Sequence, residues 1–295
     1  SELAEWNGTE SALVFNSGFQ MNSGIFSALF EPGTAFFIDR FVHASLIDGI
    51  RLSGHRFFRF PHQDLHALGQ KLASERSHYT RAVIVTESVF SMDGTLTDID
   101  ELISIAEKHQ SEIMIDEAHA VGVYGNKGEG LAASKGIRYQ LGTFGKAMGG
   151  AGGFICLPQD EKAKLIDQCR SFIYSTALPI PVLATQAAAL SWIQGPDART
   201  ARQQVIENTE QFQSGLADSG ISYLGSSHIV PIPVGDADAC RQLANKIQAL
   251  GIWIQAILPP TVPNASCRLR ASISASHTQE EIALAISAIA DSWPK

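Results

Sequence analysis

Three short stretches of this 295-residue chain bring together residues that could do chemistry. The first is Asp116-Glu117-Ala118-His119, two acids and a histidine at the end of the apolar run Glu112–Asp116. The second is Gly142-Thr143-Phe144-Gly145-Lys146-Ala147, followed by the small-residue run Gly149-Gly150-Ala151-Gly152-Gly153. A lysine flanked by glycines and an aromatic, ahead of an apolar strand, is expected to be partly buried. A desolvated lysine loses its proton more easily and becomes a nucleophile that can form a Schiff base. Thr143, three residues earlier, can place a hydroxyl and a backbone N–H on a phosphate. The third stretch is Asn16-Ser17-Gly18-Phe19-Gln20-Met21-Asn22, with Phe41-Val42-His43-Ala44-Ser45-Leu46 after it. Serine and glycine opening a helix offer N–H groups to an anion. His43, following a strand that ends near Asp39, would sit at the same sheet edge.

Simpler readings fail on their own requirements. A DEAH helicase box needs a G-x-x-x-x-G-K-[ST] phosphate loop upstream, and none is present; the imitation at Gly142–Ala147 has the wrong spacing and lies downstream. The glycine run is not G-x-G-x-x-G, so it makes a poor dinucleotide loop. Taken together, a phosphate cradle, a histidine that can stack, an acid at a strand end and a Schiff-base lysine are what pyridoxal phosphate (PLP) requires. The acid keeps the pyridine nitrogen protonated, so that the ring can act as an electron sink. Lys146 lies 30 positions after Asp116, room for one helix and a return strand.

The elements that must hold these residues follow from hydrophobic patterning. Strands are expected at Ala35–Asp39, His55–Phe60, Ala82–Thr86, Glu112–Asp116 and Gly153–Leu157. Ile99, Leu102, Ile103 and Ala106 recur at helical spacing, with Thr97 or Asp98 as the N-cap. This alternation predicts an α/β domain whose mainly parallel sheet is covered by helices on both faces, with ligands at the carboxyl ends of its strands. Past Gly195-Pro196-Asp197 the rhythm changes. A polar helix over about Ala198–Leu216 precedes strands near Ile229–Val234, Ile252–Ile257 and Arg268–Ser274 and helices near Asp238–Leu250 and Gln279–Ser292. A large domain over 1–194 and a smaller α+β domain over 195–295 are expected.

Composition narrows the partners. Thirty acids against 22 basic residues give a net charge of −8, against nucleic-acid binding, which favours a basic excess. No apolar run reaches the ~18–20 residues of a membrane span. The four cysteines form no C-x-x-C pair, which suits a reducing compartment, the cytoplasm. The chain begins as though inside a helix, and an N-terminal piece is expected to be missing.

At this point the chain resembles the α-oxoamine synthases, PLP enzymes of fold type I (aspartate aminotransferase-like). The resemblance covers essentially the whole chain. It rests on Ser17-Gly18-Phe19, His43-Ala44-Ser45-Leu46, Glu87-Ser88-Val89-Phe90-Ser91-Met92-Asp93-Gly94, Asp116-Glu117-Ala118-His119, Thr143-Phe144-Gly145-Lys146 and Arg268-Leu269-Arg270. Pro259-Pro260-Thr261-Val262-Pro263 and Arg59-Phe60-Pro61-His62-Gln63-Asp64 are most like the biotin-pathway branch. Glu117 stands where many members of that branch have Asp, and Ala120-Val121-Gly122 differs from their usual Gly-Thr-Gly and leans toward the 2-amino-3-ketobutyrate CoA ligases.

The resemblance implies decarboxylating condensation of an amino acid, L-alanine, with an acyl thioester, pimeloyl-CoA or its carrier-protein equivalent. It implies that Lys146 holds PLP as the internal aldimine, that Asp116 pairs with the ring nitrogen, and that His119 bonds near the ring's 3-oxygen. His43 stacks on the ring. Ser17, Gly18, Phe19 and Thr143 bind phosphate, and Ser91 lies close to the cofactor. Arg270 anchors the amino-acid carboxylate, with Arg268 left to pair with surface acids, and Glu87 lies near the substrate. Ser175-Thr176 matches the segment that reaches the neighbouring subunit's phosphate, implying a homodimer with a shared active site. The family's N-terminal arm, which serves the thioester channel and the dimer, precedes the first residue of this chain. The competing readings are another α-oxoamine synthase, a PLP aminotransferase or lyase, and an inactive structural homologue. His55, His62, His66, His78, His109 and His228 are expected to be surface or structural, and His277 resembles a family position without a clear role.

Overall fold

The computed structural model describes residues 2–294. Contacts divide the chain into two units: one runs to residue 89 and resumes over 97–199, and the other comprises 90–96 and everything from 200 onward.

The first unit is built on a seven-stranded sheet. Its strands are β1 (Ser11–Phe15), β2 (Thr34–Asp39), β3 (Arg56–Phe60), β4 (Arg81–Glu87), β5 (Glu112–Asp116), β6 (Tyr139–Thr143) and β7 (Gly153–Leu157). Their spatial order is β1-β7-β6-β5-β4-β2-β3. The four pairings from β3 to β6 are parallel, and the two that add β7 and β1 are antiparallel. The parallel strands read as continuous apolar runs because helices cover both faces: Ala35, Phe36, Phe37 and Ile38 are fully buried, as are Val83, Ile84 and Val85 and their neighbours Met114 and Ile115.

Five of the seven strands were legible as apolar runs. β1 and β6 were not. β1 is five residues long and partly open. β6 is interrupted by Gln140 and Gly142, and Gly142 is there because a Cβ would lie 2.2 Å from the Phe154 ring of β7.

Helices α1 (Glu2–Asn7), α2 (Gly18–Leu29), α3 (Ala44–Ser53), α4 (Leu65–Glu75), α5 (Ile99–Lys108), α6 (Gln159–Gln168), α7 (Arg170–Ile173) and α8 (Ile180–Ile193) belong to the same unit. Of the two candidate caps for α5, Asp98 accepts from the Glu101 amide, while Thr97 spends its hydroxyl on the Glu87 carbonyl. Helix α9 (Pro196–Asp218) begins in the first unit and ends in the second.

The second unit has a three-stranded antiparallel sheet, with β10 (Cys267–Ser272) between β8 (Ile229–Gly235) and β9 (Gln255–Ile257). Helices α10 (Ala237–Ala249) and α11 (Gln279–Ser292) complete it. Its core is Val230, Ile232, Leu243, Ile247, Leu269 and Ile289 with Phe212 of α9. Where the sequence suggested one boundary at 195, segment 90–96 lies with this unit. Arg268 Nη1 reaches Asp93 Oδ1 at 2.6 Å, and the Ser226 and Ser227 amides donate to the Gly94 carbonyl. Such long-range bonds leave no local trace in sequence. Among the described residues no helix is long and apolar enough to cross a membrane.

Candidate active site

Four neighbouring parallel strands end in polar residues on one edge of the sheet: Asp39 on β2, Glu87 on β4, Asp116 on β5 and Thr143 on β6. Glu87 and Asp116 are directly paired in the parallel register. Parallel α/β sheets place their ligands at this edge, and a cleft opens there, lined by Glu87, Asp116, Thr143, His43, His119 and Lys146 among others.

Asp116 is 8 % exposed, and its Oδ1 accepts from the Ala118 amide at 2.9 Å. That bond closes the turn that carries His119 into the cleft. Glu87 is buried beside it, and its Oε1 accepts from the His43 amide at 2.6 Å. Burial, reinforced by the Asp116 charge, holds the Glu87 carboxyl well above its ordinary range, with Lys146 pulling the other way. Glu117, the second acid of the motif, points away from the cleft edge: its Oε2 accepts from the Ala132 amide at 3.1 Å. Burial raises its pKa to about 7.

His43 is carried by the loop after β2, and Asp39 shapes that loop. The Asp39 carboxylate accepts from the amides of Phe41 (2.8 Å) and Gln63 (2.9 Å), and it lies 3.0 Å from His62 Nδ1. His62, expected to be surface or structural, is thus a structural partner of the loop that delivers His43, and its ring also packs on Phe41. The usable signal was an Asp ending one buried strand and a His just after the adjacent one.

One end of the cleft is formed by the first turn of α2. Ser17 is its N-cap, accepting from the Gln20 amide, so the Gly18 and Phe19 amides stand outside the intrahelical ladder. The first turn lies directly on β7: a Cβ on Gly153 would be 2.7 Å from Gly18 N and Cα. Thr143 Oγ1 donates to the Gly152 carbonyl at 2.9 Å and accepts from the Gly145 amide at 3.1 Å. Its hydroxyl therefore also shapes the loop that carries Lys146.

Two expectations are modified, those for Lys146 and Arg268, while the Ser175-Thr176 segment was expected to serve a neighbouring subunit rather than this chain's own cleft. Lys146 lines the cleft but is exposed rather than partly buried, because the flanking Gly145 and Gly149 have no side chains to cover it. Ser175 and Thr176 do not line the cleft. They are exposed, and Asn16 Nδ2 holds them by the Ser175 hydroxyl (3.0 Å) and the Thr176 carbonyl (2.6 Å). Arg268 does pair with an acid, Asp93, but the pair is buried rather than on the surface. Arg270, on the same face of β10, donates from Nε to the Ser91 carbonyl at 2.6 Å and from Nη1 to Ser272 Oγ at 2.9 Å. Arg270 and Ser91 both belong to the second unit.

The cleft encloses about 170 Å³, below the ~300–1,000 Å³ of drug-sized ligand sites. That suits one flat ring with a short anionic arm better than a dinucleotide. The donor set matches such a ligand: helix amides for a phosphate, a carboxylate for a cationic nitrogen, a histidine for a ring face and a primary amine.

Comparison with known proteins gives the same picture. Residues 1–289 match the family model described as aminotransferase class I and II. The chain is 40 % identical over 293 residues to an 8-amino-7-oxononanoate synthase of Geobacter sulfurreducens, covering 98 % of this chain and 75 % of the relative. Among solved structures, a serine palmitoyltransferase with PLP as internal aldimine superposes with a TM-score of 0.92 at 28 % identity, covering 99 % of this chain and 74 % of that one. An 8-amino-7-oxononanoate synthase of Francisella tularensis superposes with a TM-score of 0.85 at 30 % identity, covering 98 % and 84 %.

Proposed function

The chain belongs to the class I and II aminotransferase family, in its α-oxoamine synthase branch, and from that premise we propose that it is a PLP-dependent acyltransferase of biotin synthesis. It condenses L-alanine with a pimeloyl thioester, delivered by CoA or a carrier protein, and forms 8-amino-7-oxononanoate with loss of CO2 and the free thiol. The observation that carries this reading is the convergence of Asp116, His119, His43, Thr143 and Lys146 on one cleft beside the open first turn of α2.

Each residue has a role that its position supports. The Gly18 and Phe19 amides and the Ser17 and Thr143 hydroxyls take the phosphate, where the helix dipole adds to their pull. Asp116, held by the Ala118 amide, would pair with the ring nitrogen and keep its proton in place. His119 would donate to the ring's oxygen, and His43 would cover one face. Lys146 would supply the amine that holds the cofactor, and its Nζ would be the base placed for the Cα proton. Bound PLP supplies an electron sink for the pair of electrons left at Cα. Arg270, with Ser91, is assigned to the amino-acid side of the reaction on the family resemblance: a guanidinium fork fits a carboxylate bidentately. Glu87 is placed to position His43 through its amide.

The functional unit is read as a homodimer in which Ser175 and Thr176 reach the partner's phosphate. Their exposure and the exposed apolar residues Ile173, Tyr174 and Ile180 around them support this. The four cysteines are free and buried, which supports a cytoplasmic setting.

The test is direct. The protein supplied with PLP should show the visible absorbance of lysine-bound cofactor, and borohydride should fix that cofactor to Lys146. Adding L-alanine and pimeloyl-CoA should yield the amino-ketone and free CoA. Lys146→Ala should abolish both the fixation and turnover. Cofactor fixed at another lysine, or amino transfer to a keto acid with no dependence on thioester, would overturn the assignment.

A further inference from the structure

We propose that Asn22 and Ser45 form a hydrogen-bond relay that holds His43 as the tautomer protonated on Nε2, making both of them positioning residues for the ring that His43 covers. The proposal rests on reading the cleft as a PLP site.

The direction of the relay follows from counting donors. His43 Nδ1 lies 3.3 Å from the Ser45 backbone N–H and 2.7 Å from Ser45 Oγ. A backbone N–H only donates, so Nδ1 is the acceptor and carries no proton. Ser45 Oγ in turn accepts from Asn22 Nδ2 at 2.9 Å. The hydroxyl hydrogen then points at Nδ1, and polarity runs from Asn22 through Ser45 to His43. The ring's own hydrogen is left for Nε2.

The reverse arrangement is self-defeating. Turning the Asn22 amide over would let Ser45 Oγ donate to Oδ1 and accept from an Nδ1–H. That Nδ1–H would then face the Ser45 amide N–H, donor against donor.

The placement of Asn22 points the same way. It is 2 % exposed, it lines the cleft wall, and its Oδ1 has no hydrogen-bond partner among the described residues. An apolar side chain would fill that space without stranding a buried oxygen. The bond to Ser45 accounts for the amide. Ser45 is equally buried, at 1 % exposed, so water does not compete with the Asn22–Ser45 bond.

The consequence for the ligand is electrostatic and geometric. Asp116 favours the protonated ring nitrogen, so the ring beneath His43 is electron-poor. A histidine with an unprotonated Nδ1 offers it a neutral face. A doubly protonated histidine would set cation against cation at stacking distance. The relay also fixes the ring plane, since both bonds to Nδ1 must be kept.

The tautomer can be read without turnover. In protein labelled with ¹⁵N-histidine and free of cofactor, a long-range ¹H–¹⁵N correlation at neutral pH should show His43 with a proton on Nε2 and none on Nδ1. Its signals are assigned by their loss in His43→Asn. Ser45→Ala keeps the backbone N–H on Nδ1 but removes the hydroxyl hydrogen, so it should raise the share of the Nδ1-protonated tautomer and weaken PLP binding about fivefold, the scale of one neutral hydrogen bond. Ser45→Thr, which keeps the hydroxyl, should restore both. A wild-type His43 with its proton on Nδ1 overturns the proposal, and it does so even if Ser45→Ala fails to fold. An unchanged tautomer and PLP affinity in Ser45→Ala overturns it as well. A wild type that shows the Nε2 tautomer but binds no PLP would leave the relay standing and remove the cofactor reading.

Discussion

Among single residues, Glu117 carries the clearest pH signature, because it is a wholly buried acid held by a backbone amide on one oxygen only. The Ala132 amide donates to Oε2, while Oε1 and the Ser88 Oγ have no hydrogen-bond partner among the described residues. Burial is the main cause of its pKa rising from 4.5 to about 7. A folded-state value above the unfolded one means that the native state binds the proton more tightly between those pH values. Stability is therefore greatest below the lower value and declines as pH rises through the upper one. The gap corresponds to roughly 3 kcal/mol. Glu117→Gln is neutral at every pH; its Oε1 can take the Ala132 amide and its Nε2 can donate to Ser88. The variant is expected to melt at a higher temperature than the wild type at pH 8, and the advantage should shrink toward pH 5. Parallel melting curves across that range check it, and an advantage independent of pH would show that the carboxylate is not the cause.

The site residues were legible in sequence because their types are rare in combination: a strand-end acid, a lysine among glycines, and a serine opening a helix. What sequence did not reveal depends on contacts between distant segments. Asp39 and His62 meet across two adjacent strands, and Lys146 is left open because its neighbours are too small to cover it.

Among the elements, the parallel strands announced themselves as unbroken apolar runs. The helix pair that orients His43 did not, because its fit depends on a missing side chain. Gly49 lies in the interior of α3, where alanine would ordinarily gain up to ~1 kcal/mol. Here an added Cβ would come within 1.9 Å of the Asn22 carbonyl and 2.8 Å of the Phe26 ring. Backbone cannot yield as a flexible side chain can, so α3 must move off α2. Gly49→Ala is expected to cost about 1–3 kcal/mol, the range of overpacking. It should also weaken PLP binding, because the Asn22–Ser45 bond joins these two helices. Gly69 in α4 is the internal control, with nothing within 4 Å of its added Cβ. Gly69→Ala should be neutral or stabilising. Denaturant unfolding of both variants decides the matter: equal effects would mean that helix propensity, rather than the close approach, governs position 49.

For the whole molecule, the unusual feature is α8. Its sequence, Ile180-Pro181-Val182-Leu183-Ala184-Thr185-Gln186-Ala187-Ala188-Ala189-Leu190-Ser191-Trp192-Ile193, has no charged residue, in a chain of net charge −8. A helix apolar on all sides is ordinarily buried on all sides. Yet Ile180 is 81 % exposed and Trp192 53 % exposed, and the preceding Tyr174 is 75 % exposed. Exposed apolar residues gathered on one helix suit an interface, and Ser175-Thr176, the segment proposed to reach the partner's phosphate, shortly precedes that helix in the chain. A second copy of the chain is therefore the expected occupant. Ile180→Glu together with Trp192→Glu would set charges in that surface while touching little in the first unit's own core. Sedimentation should show the wild type as a dimer and the double variant as a monomer. PLP affinity should fall in the variant, because each cleft would lose the Ser175 and Thr176 of its partner, and Thr176→Ala should reproduce part of that loss without dissociating the dimer. A wild type that sediments as a monomer with full PLP occupancy would refute both the interface and the shared site.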